Sequence, residues 1–185
     1  WYSWEKLVDI IPAGSLRILI IAAGSSQFFV DRLSNKLSSG YEVLVLPNIS
    51  ADPTAISTQA VTDFVRSEQP DWIIAIGGGS VLDLGKLVAA LMTNTGSVLD
   101  YATGKRQIAN QGIPFIAVPT TSGSSSEVTM SSAIWEMDKK LSYRVRHPLM
   151  YPTVALIDPE LAMSMPQQLA AATGVCVLYT SPSPR

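Results

Sequence analysis

The chain is poor in the residues that build disulfides and metal centres. It carries one cysteine, Cys176, and one histidine, His147, in 185 residues. One cysteine rules out an internal disulfide, and a reducing, cytoplasmic setting is the matching expectation. One histidine makes no metal site by itself, and beside Arg144 and Arg146 it reads as a surface residue. Charge is scarce as well. Only 15% of the residues are charged and the formal net charge is −2, which argues against a nucleic-acid surface. No apolar run reaches the length of a membrane span, and the start lacks a signal-peptide pattern. The first residue is Trp1 rather than Met, as expected of a fragment or a processed chain. Apolar residues, by contrast, make up 47%, enough for one folded domain with its own core.

The most informative stretch runs from Asp71 to Lys86. Trp72 to Ile76 reads as a buried strand, Gly77, Gly78 and Gly79 follow at once, and a helix opens at Ser80. A strand, a glycine turn and a helix N-terminus together make an anion site. Glycines let a phosphate approach the backbone, and the free N–H groups of the helix start point toward it. Ser80 is the expected N-cap. The same residues also make a tight connection that binds nothing.

Around this unit the pattern repeats. Arg17 to Ala23 is a wholly apolar strand of the kind covered on both faces. Gly24-Ser25-Ser26 caps a helix to about Leu37, stopped by Gly40. Glu42 to Pro47 is the second strand, and Asp52, as N-cap, with Pro53 at the first turn opens a helix that ends at Pro70. The glycine-turn helix runs to about Met92, Thr93 to Gly112 reads as a surface excursion, and Ile113 to Pro119 is another strand. Thr129 to Trp135 and Leu141 to Val145 form a hairpin joined by Glu136 to Lys140. Val154 to Pro159 is a last strand ending in a turn, and Pro166 to Ala172 starts a helix. The β-α alternation at roughly 30-residue spacing predicts an α/β fold with a doubly wound, mostly parallel sheet. Thr120 to Glu127 follows a strand and is rich in small hydroxyl residues; it could hold a polar ligand or be only a serine-rich loop. If both loops lie at the carboxyl ends of parallel strands, they form one site.

Four pieces then stand in a known order: Gly77-Gly78-Gly79-Ser80-Val81-Leu82-Asp83 with Lys86, Pro119 to Thr129, Asp158-Pro159-Glu160-Leu161, and Ala171-Ala172-Thr173-Gly174. Together they resemble the iron-containing (group III) alcohol dehydrogenases. The resemblance implies a Rossmann-like nucleotide-binding domain followed by an all-helical domain that holds a divalent metal, Fe²⁺ or Zn²⁺. It implies that Gly78, Gly79 and Ser80 contact the pyrophosphate of NAD or NADP, with Asp83 shaping that site. Thr120, Thr121 and Ser124 would line the ribose and nicotinamide. Lys140 would lie near the cofactor ribose, and Asn48 with Pro53-Thr54 around the adenine. The full enzyme would move a hydride between nicotinamide and a carbonyl, with the metal as Lewis acid, and is expected to be a homo-oligomer acting on a small alcohol or aldehyde.

Two departures from the family pattern qualify this. Where members that select NAD often carry an acidic residue after the first strand, this chain has Ala23 and Gly24. With no carboxylate to repel a 2′-phosphate, NADP(H) is the leaning, unless the turn never touches the ribose. Second, Cys176 stands where an aspartate metal ligand is expected, and the pattern stops. Residues 1–174 therefore read as the nucleotide-binding domain and 175–185 as a non-family tail on a truncated gene, with the helical metal domain absent and the fragment inactive alone. The segments Ala133 to Glu136, Lys139 to Tyr143 and Met150 to Pro152 also resemble the phosphonoacetaldehyde reductase branch. The rival readings are a dehydroquinate-synthase-like lyase, which shares the glycine turn, NAD and a metal but differs in the second loop, and an inert nucleotide-binding fragment. Trp72 and Trp135 read as core or interface residues.

Overall fold

The computed structural model describes residues 4–14, 16–49, 52–163 and 165–180. In chain order the elements are β1 (Arg17–Ala22), α1 (Gln27–Leu37), β2 (Glu42–Leu46), α2 (Ala55–Glu68), β3 (Trp72–Gly77), α3 (Gly79–Leu91), α4 (Val98–Ala102), β4 (Phe115–Pro119), β5 (Ser131–Glu136), β6 (Leu141–Arg146), β7 (Val154–Ala155), α5 (Pro159–Ala162) and α6 (Gln167–Thr180). Five strands make one sheet in the order β2-β1-β3-β4-β7, and every neighbouring pair is parallel. β5 and β6 form a separate antiparallel hairpin.

The central strands are apolar throughout because both of their faces are covered. Side chains alternate across a strand, so Ile18, Ile20, Ile74, Ile76, Ile116 and Val118 meet α1 through Val30, Leu33 and Leu37 on one face. Leu19, Ile21, Ile73, Ala75 and Ala117 meet α2 and α3 on the other. The register aligns Ile20 with Ile74 and Ile74 with Ile116, and all of these are fully buried. Gly85 lets α3 lie close to the sheet: a Cβ there would stand 2.8 Å from the Phe115 ring and 2.9 Å from the Ala75 Cβ. The doubly wound parallel sheet expected from the sequence is therefore present. Its strand order changes direction between β1 and β3, and in such sheets the crevice outside the carboxyl ends of those strands is where ligands bind.

Several local expectations are corrected. The N-cap of α2 is Thr54, not Asp52: its side chain accepts from the Ser57 N–H, and Ser57 accepts from the Thr54 N–H. Ser80 does not cap α3; Gly78 holds that position and Ser80 lies inside the first turn. A 3₁₀ turn, Gly24–Ser26, precedes α1, and Ser26 makes no side-chain cap bond. Thr93 to Gly112 is more than a surface excursion. It contains α4, and Asn94, Val98, Tyr101 and Ile108 are buried. Asn94 closes the segment on itself by donating to Asn110 O (2.9 Å) and accepting from the Ala109 and Asn110 N–H groups. The last strand is only Val154–Ala155, and Asp158 caps α5 by accepting from the Glu160 N–H (3.0 Å). Trp72 packs against the core, whereas Trp135 is 41% exposed. α6 continues across position 175 to Thr180, and residues 181–185 of the expected tail lie outside the described residues. No helix among the described residues is long and apolar enough to cross a membrane.

Candidate functional site

β3 ends at Gly77, and the chain enters α3 after one extended residue, Gly78. The helix start leaves the N–H groups of Gly78, Gly79 and Ser80 without an intrahelical acceptor. The next two N–H groups, of Val81 and Leu82, turn back to Gly78 O. Those three residues are partly open to solvent, so the free donors face a surface that an anion can reach.

The loop after β4 closes against this turn. The Thr120 N–H donates to Gly77 O at 3.0 Å. A Cβ on Gly78 would lie 3.2 Å from Thr121 Oγ1, and one on Gly79 would lie 2.7 Å from Ser124 Cβ and 2.8 Å from its Oγ. Gly79 is thus required by the approach of the second loop, whatever binds there, and Gly78 sits in tight contact with it. Thr121 and Ser124 are brought beside Gly78 and Gly79, whereas Thr120 is buried behind them with its N–H on Gly77 O, and the two strand ends form one edge.

A buried polar knot holds that edge together. Lys86 on α3 is 1% exposed. Its ammonium donates to Ser131 O (2.8 Å), Ser126 Oγ (3.0 Å) and Thr129 Oγ1 (3.0 Å), and stands 3.5 Å from Asp83 Oδ1. Ser126 Oγ in turn donates to Asp83 Oδ1 (2.5 Å), and the Ala133 N–H donates to Asp83 Oδ2 (2.9 Å). Helix, serine-rich loop and hairpin are therefore pinned at one point. Asp83 helps shape the edge through these bonds. Burial lowers the Lys86 pKa from its ordinary value, while the Asp83 charge and hydrogen bond oppose that shift. The sequence reading gave Lys86 no role. Its signal was an i, i+3 pair, Asp83 and Lys86, alone in an otherwise apolar helix.

The turn after β1 lies next along the edge, with the Ala23 N–H donating to Ile76 O (3.1 Å). Asn48, in a left-handed backbone conformation (φ 61°), points its side chain at Gly24: a Cβ on Gly24 would stand 2.7 Å from Asn48 Oδ1. Thr54 is committed to capping α2. Lys140 is exposed at the hairpin turn (φ 53°), and its side chain makes no hydrogen bond or ion pair with another described residue. His147 is half-buried rather than free at the surface, its Nδ1 accepting from the Leu149 N–H (3.3 Å).

Residues 1–159 match the family model described as iron-containing alcohol dehydrogenase. The chain belongs to that family. It is 36% identical over 186 residues to long-chain-alcohol dehydrogenase 1 of Geobacillus thermodenitrificans, covering 95% of this chain and 46% of that protein. It is 32% identical over 182 residues to the NADPH-dependent butanol dehydrogenase of Clostridium saccharobutylicum, covering 95% and 46%. The crystal structure of sulfoacetaldehyde reductase from Bifidobacterium kashiwanohense in complex with NAD⁺ superposes with a TM-score of 0.81 at 29% identity, covering 94% of this chain and 47% of that one. The chain thus spans about half the length of the relatives it matches. Among the described residues no group of His, Cys, Asp and Glu side chains could hold a metal ion.

Proposed function

We propose that this edge binds a nicotinamide dinucleotide, NADP(H) or NAD(H), and that the complete protein is a metal-dependent alcohol dehydrogenase interconverting a small alcohol and its aldehyde. One observation carries the reading. Two loops, each following a parallel strand beside the point where strand order reverses, meet so closely that Gly79 has room for no side chain against Ser124. That leaves backbone N–H groups with Thr121 and Ser124 at the surface, a lining suited to phosphate and ribose oxygens.

On this proposal the N–H groups of Gly78, Gly79 and Ser80 hold the pyrophosphate. Thr120, Thr121 and Ser124 contact the ribose and nicotinamide side, and Asn48 and Lys140 the adenosine side. Asp83 is a positioning residue, since its carboxylate is already engaged by Ser126 and Ala133. The bound nicotinamide supplies or accepts the hydride. Ala23 and Gly24 in the place of a carboxylate after β1 support NADP(H) over NAD(H). The donor set does not fit a metal within the described residues, so no metal-assisted step is assigned to them, and Fe²⁺ or Zn²⁺ belongs to the complete protein. Within the small aldehydes, the Ala133 to Glu136 and Lys139 to Tyr143 segments support a phosphonate aldehyde.

Calorimetric titration with NADPH tests the binding proposal: saturable one-to-one binding is expected, and no heat of binding contradicts it. Spectrophotometric assay of this chain with small alcohols, NADP⁺ and added Fe²⁺ or Zn²⁺ should give no NADPH. Sustained turnover contradicts the assignment of the metal to residues beyond these.

A further inference from the structure

Behind the hairpin lies a cavity of about 440 Å³ that shares no lining residue with the Gly78–Ser124 edge. Its floor is apolar, made by Tyr101, Ile108 and Val145, which are 6%, 4% and 6% exposed. Its walls carry cations from two separate parts of the chain. Arg106 comes from the segment after α4. Arg144 and Arg146, two apart on β6, lie on the same face of that strand, and His147 follows them.

Two of these cations, Arg144 and Arg146, are not neutralised by the fold, whereas Arg106 feels the Asp100 carboxylate. The side chains of Arg144 and Arg146 make no hydrogen bond or ion pair with another described residue. Arg106 uses one terminal nitrogen on Thr95, donating to its carbonyl at 3.0 Å, and the rest of its guanidinium is uncommitted. The carboxylate nearest in sequence, Asp100, serves the α4 cap, where it accepts from the Ser97 N–H. His147 Nδ1 already accepts from the Leu149 N–H, so in the neutral ring the proton sits on Nε2, which is a donor. Like charges gathered around a low-dielectric floor repel one another unless an anion neutralises them. That the chain as a whole is net negative makes the concentration more pointed.

We propose that this cavity is a binding site for a small oxyanion on an apolar body, a phosphate monoester or a chemically equivalent anion, separate from the proposed cofactor edge. Guanidinium groups carry the paired donors that match the paired oxygens of such a group, and three arginines from two parts of the chain line this one cavity. The Tyr101–Ile108–Val145 floor takes the apolar part. A cavity of about 440 Å³ suits a small molecule better than an extended polymer.

The test is an NMR titration of the full 185-residue chain at constant ionic strength, with inorganic phosphate and with phenyl phosphate. The proposal expects saturable shifts at the His147 ring and the Arg144 and Arg146 Nε groups, with phenyl phosphate binding more tightly because of the floor. In Arg144→Gln/Arg146→Gln affinity should fall at least about tenfold, the loss of roughly one charge-assisted contact. Because both side chains are exposed, the variant should keep the wild-type amide spectrum. Arg106→Gln, on a different element, should weaken binding independently. Saturating NADH, which carries no phosphate monoester, should leave the phosphate shifts unchanged. Shifts that never saturate, shifts equal in the double variant, or displacement of phosphate by NADH would each overturn the separate site. Equal affinity for the two probes would overturn the role of the floor and leave a bare oxyanion site, contrary to the proposal as made.

Discussion

Two strand–glycine–helix turns stand side by side at the carboxyl edge of the sheet, and they are built on different terms. After β3, Gly78 and Gly79 are pressed by Thr121 and Ser124, and the Gly79 contact is to a Cβ, an atom fixed to its backbone. The loop that presses is itself anchored by Lys86 and Asp83. After β1, a short 3₁₀ turn intervenes before α1, and Gly24 meets only Asn48 Oδ1, the far end of an exposed side chain. One turn is clamped and the other is faced by a movable group. On the proposed cofactor role, a pyrophosphate needs donors already in place, which favours the clamped turn as its cradle. The open turn would then be the one to choose between ligands that differ at the ribose.

The largest effect should come from filling the clamped turn. Gly79→Val puts branched atoms where Ser124 already lies, so NADPH affinity measured by calorimetry should fall at least about a hundredfold, the loss of close backbone approach to a charged group. Unchanged affinity would remove this turn from the site.

Loosening the clamp comes next. Lys86→Met leaves Ser126, Thr129 and Ser131 O without the ammonium, and should cost about 3 kcal/mol in urea unfolding, the low end for breaking a buried charged pair because Asp83 keeps two donors. The variant also isolates a pH effect. In the folded protein burial holds the Lys86 pKa below its ordinary value of 10.5, so between the lowered value and 10.5 the unfolded chain binds more protons at this group. Its contribution to stability therefore rises with pH across that window. Unfolding midpoints taken at rising alkaline pH should show this increment in the wild type and not in Lys86→Met. An identical slope in both would place the titrating group elsewhere.

The open turn is tested by charge rather than bulk. Asn48→Asp places a carboxylate beside Gly24, and should shift the NADH to NADPH affinity ratio toward NADH by about fivefold to tenfold, through repulsion of the 2′-phosphate. No change in the ratio would mean the turn lies away from the ribose. The smallest effect is expected from Gly24→Ala, where Asn48 swings aside; NADPH affinity should change by less than about threefold. A loss as large as that of Gly79→Val would erase the difference between the turns.

Much of this contrast was readable in the chain. Unbroken apolar runs such as Ile18–Ala22 and Ile73–Ile76 announce strands buried on both faces, and strands that are parallel deliver their following loops to one edge. That logic puts the Thr120 to Glu127 loop on the same edge as the glycine turn, while the choice of Thr120, Thr121 and Ser124 within it came from the family resemblance. The errors lie where two neighbouring residues could do one job. Asp52 and Thr54 are both good caps, and the choice fell to Thr54 because Ser57 completes a reciprocal pair. Gly78 could take the cap position of α3 without a side-chain bond, which left Ser80 inside the helix. α4 has five residues, too few for a helical period to declare itself. The burial of Lys86 depends on Ser126, Thr129 and Ser131, some 40 to 45 residues away, and no local pattern carries that information.

The clamped turn, and not merely some part of the domain, is proposed to hold the cofactor. Parallel calorimetric titrations of wild type and Gly79→Val with NADPH test it most directly, with the amide spectrum of each confirming the fold. Saturable binding to the wild type and none to a folded Gly79→Val is the predicted result; equal binding by both would contradict it.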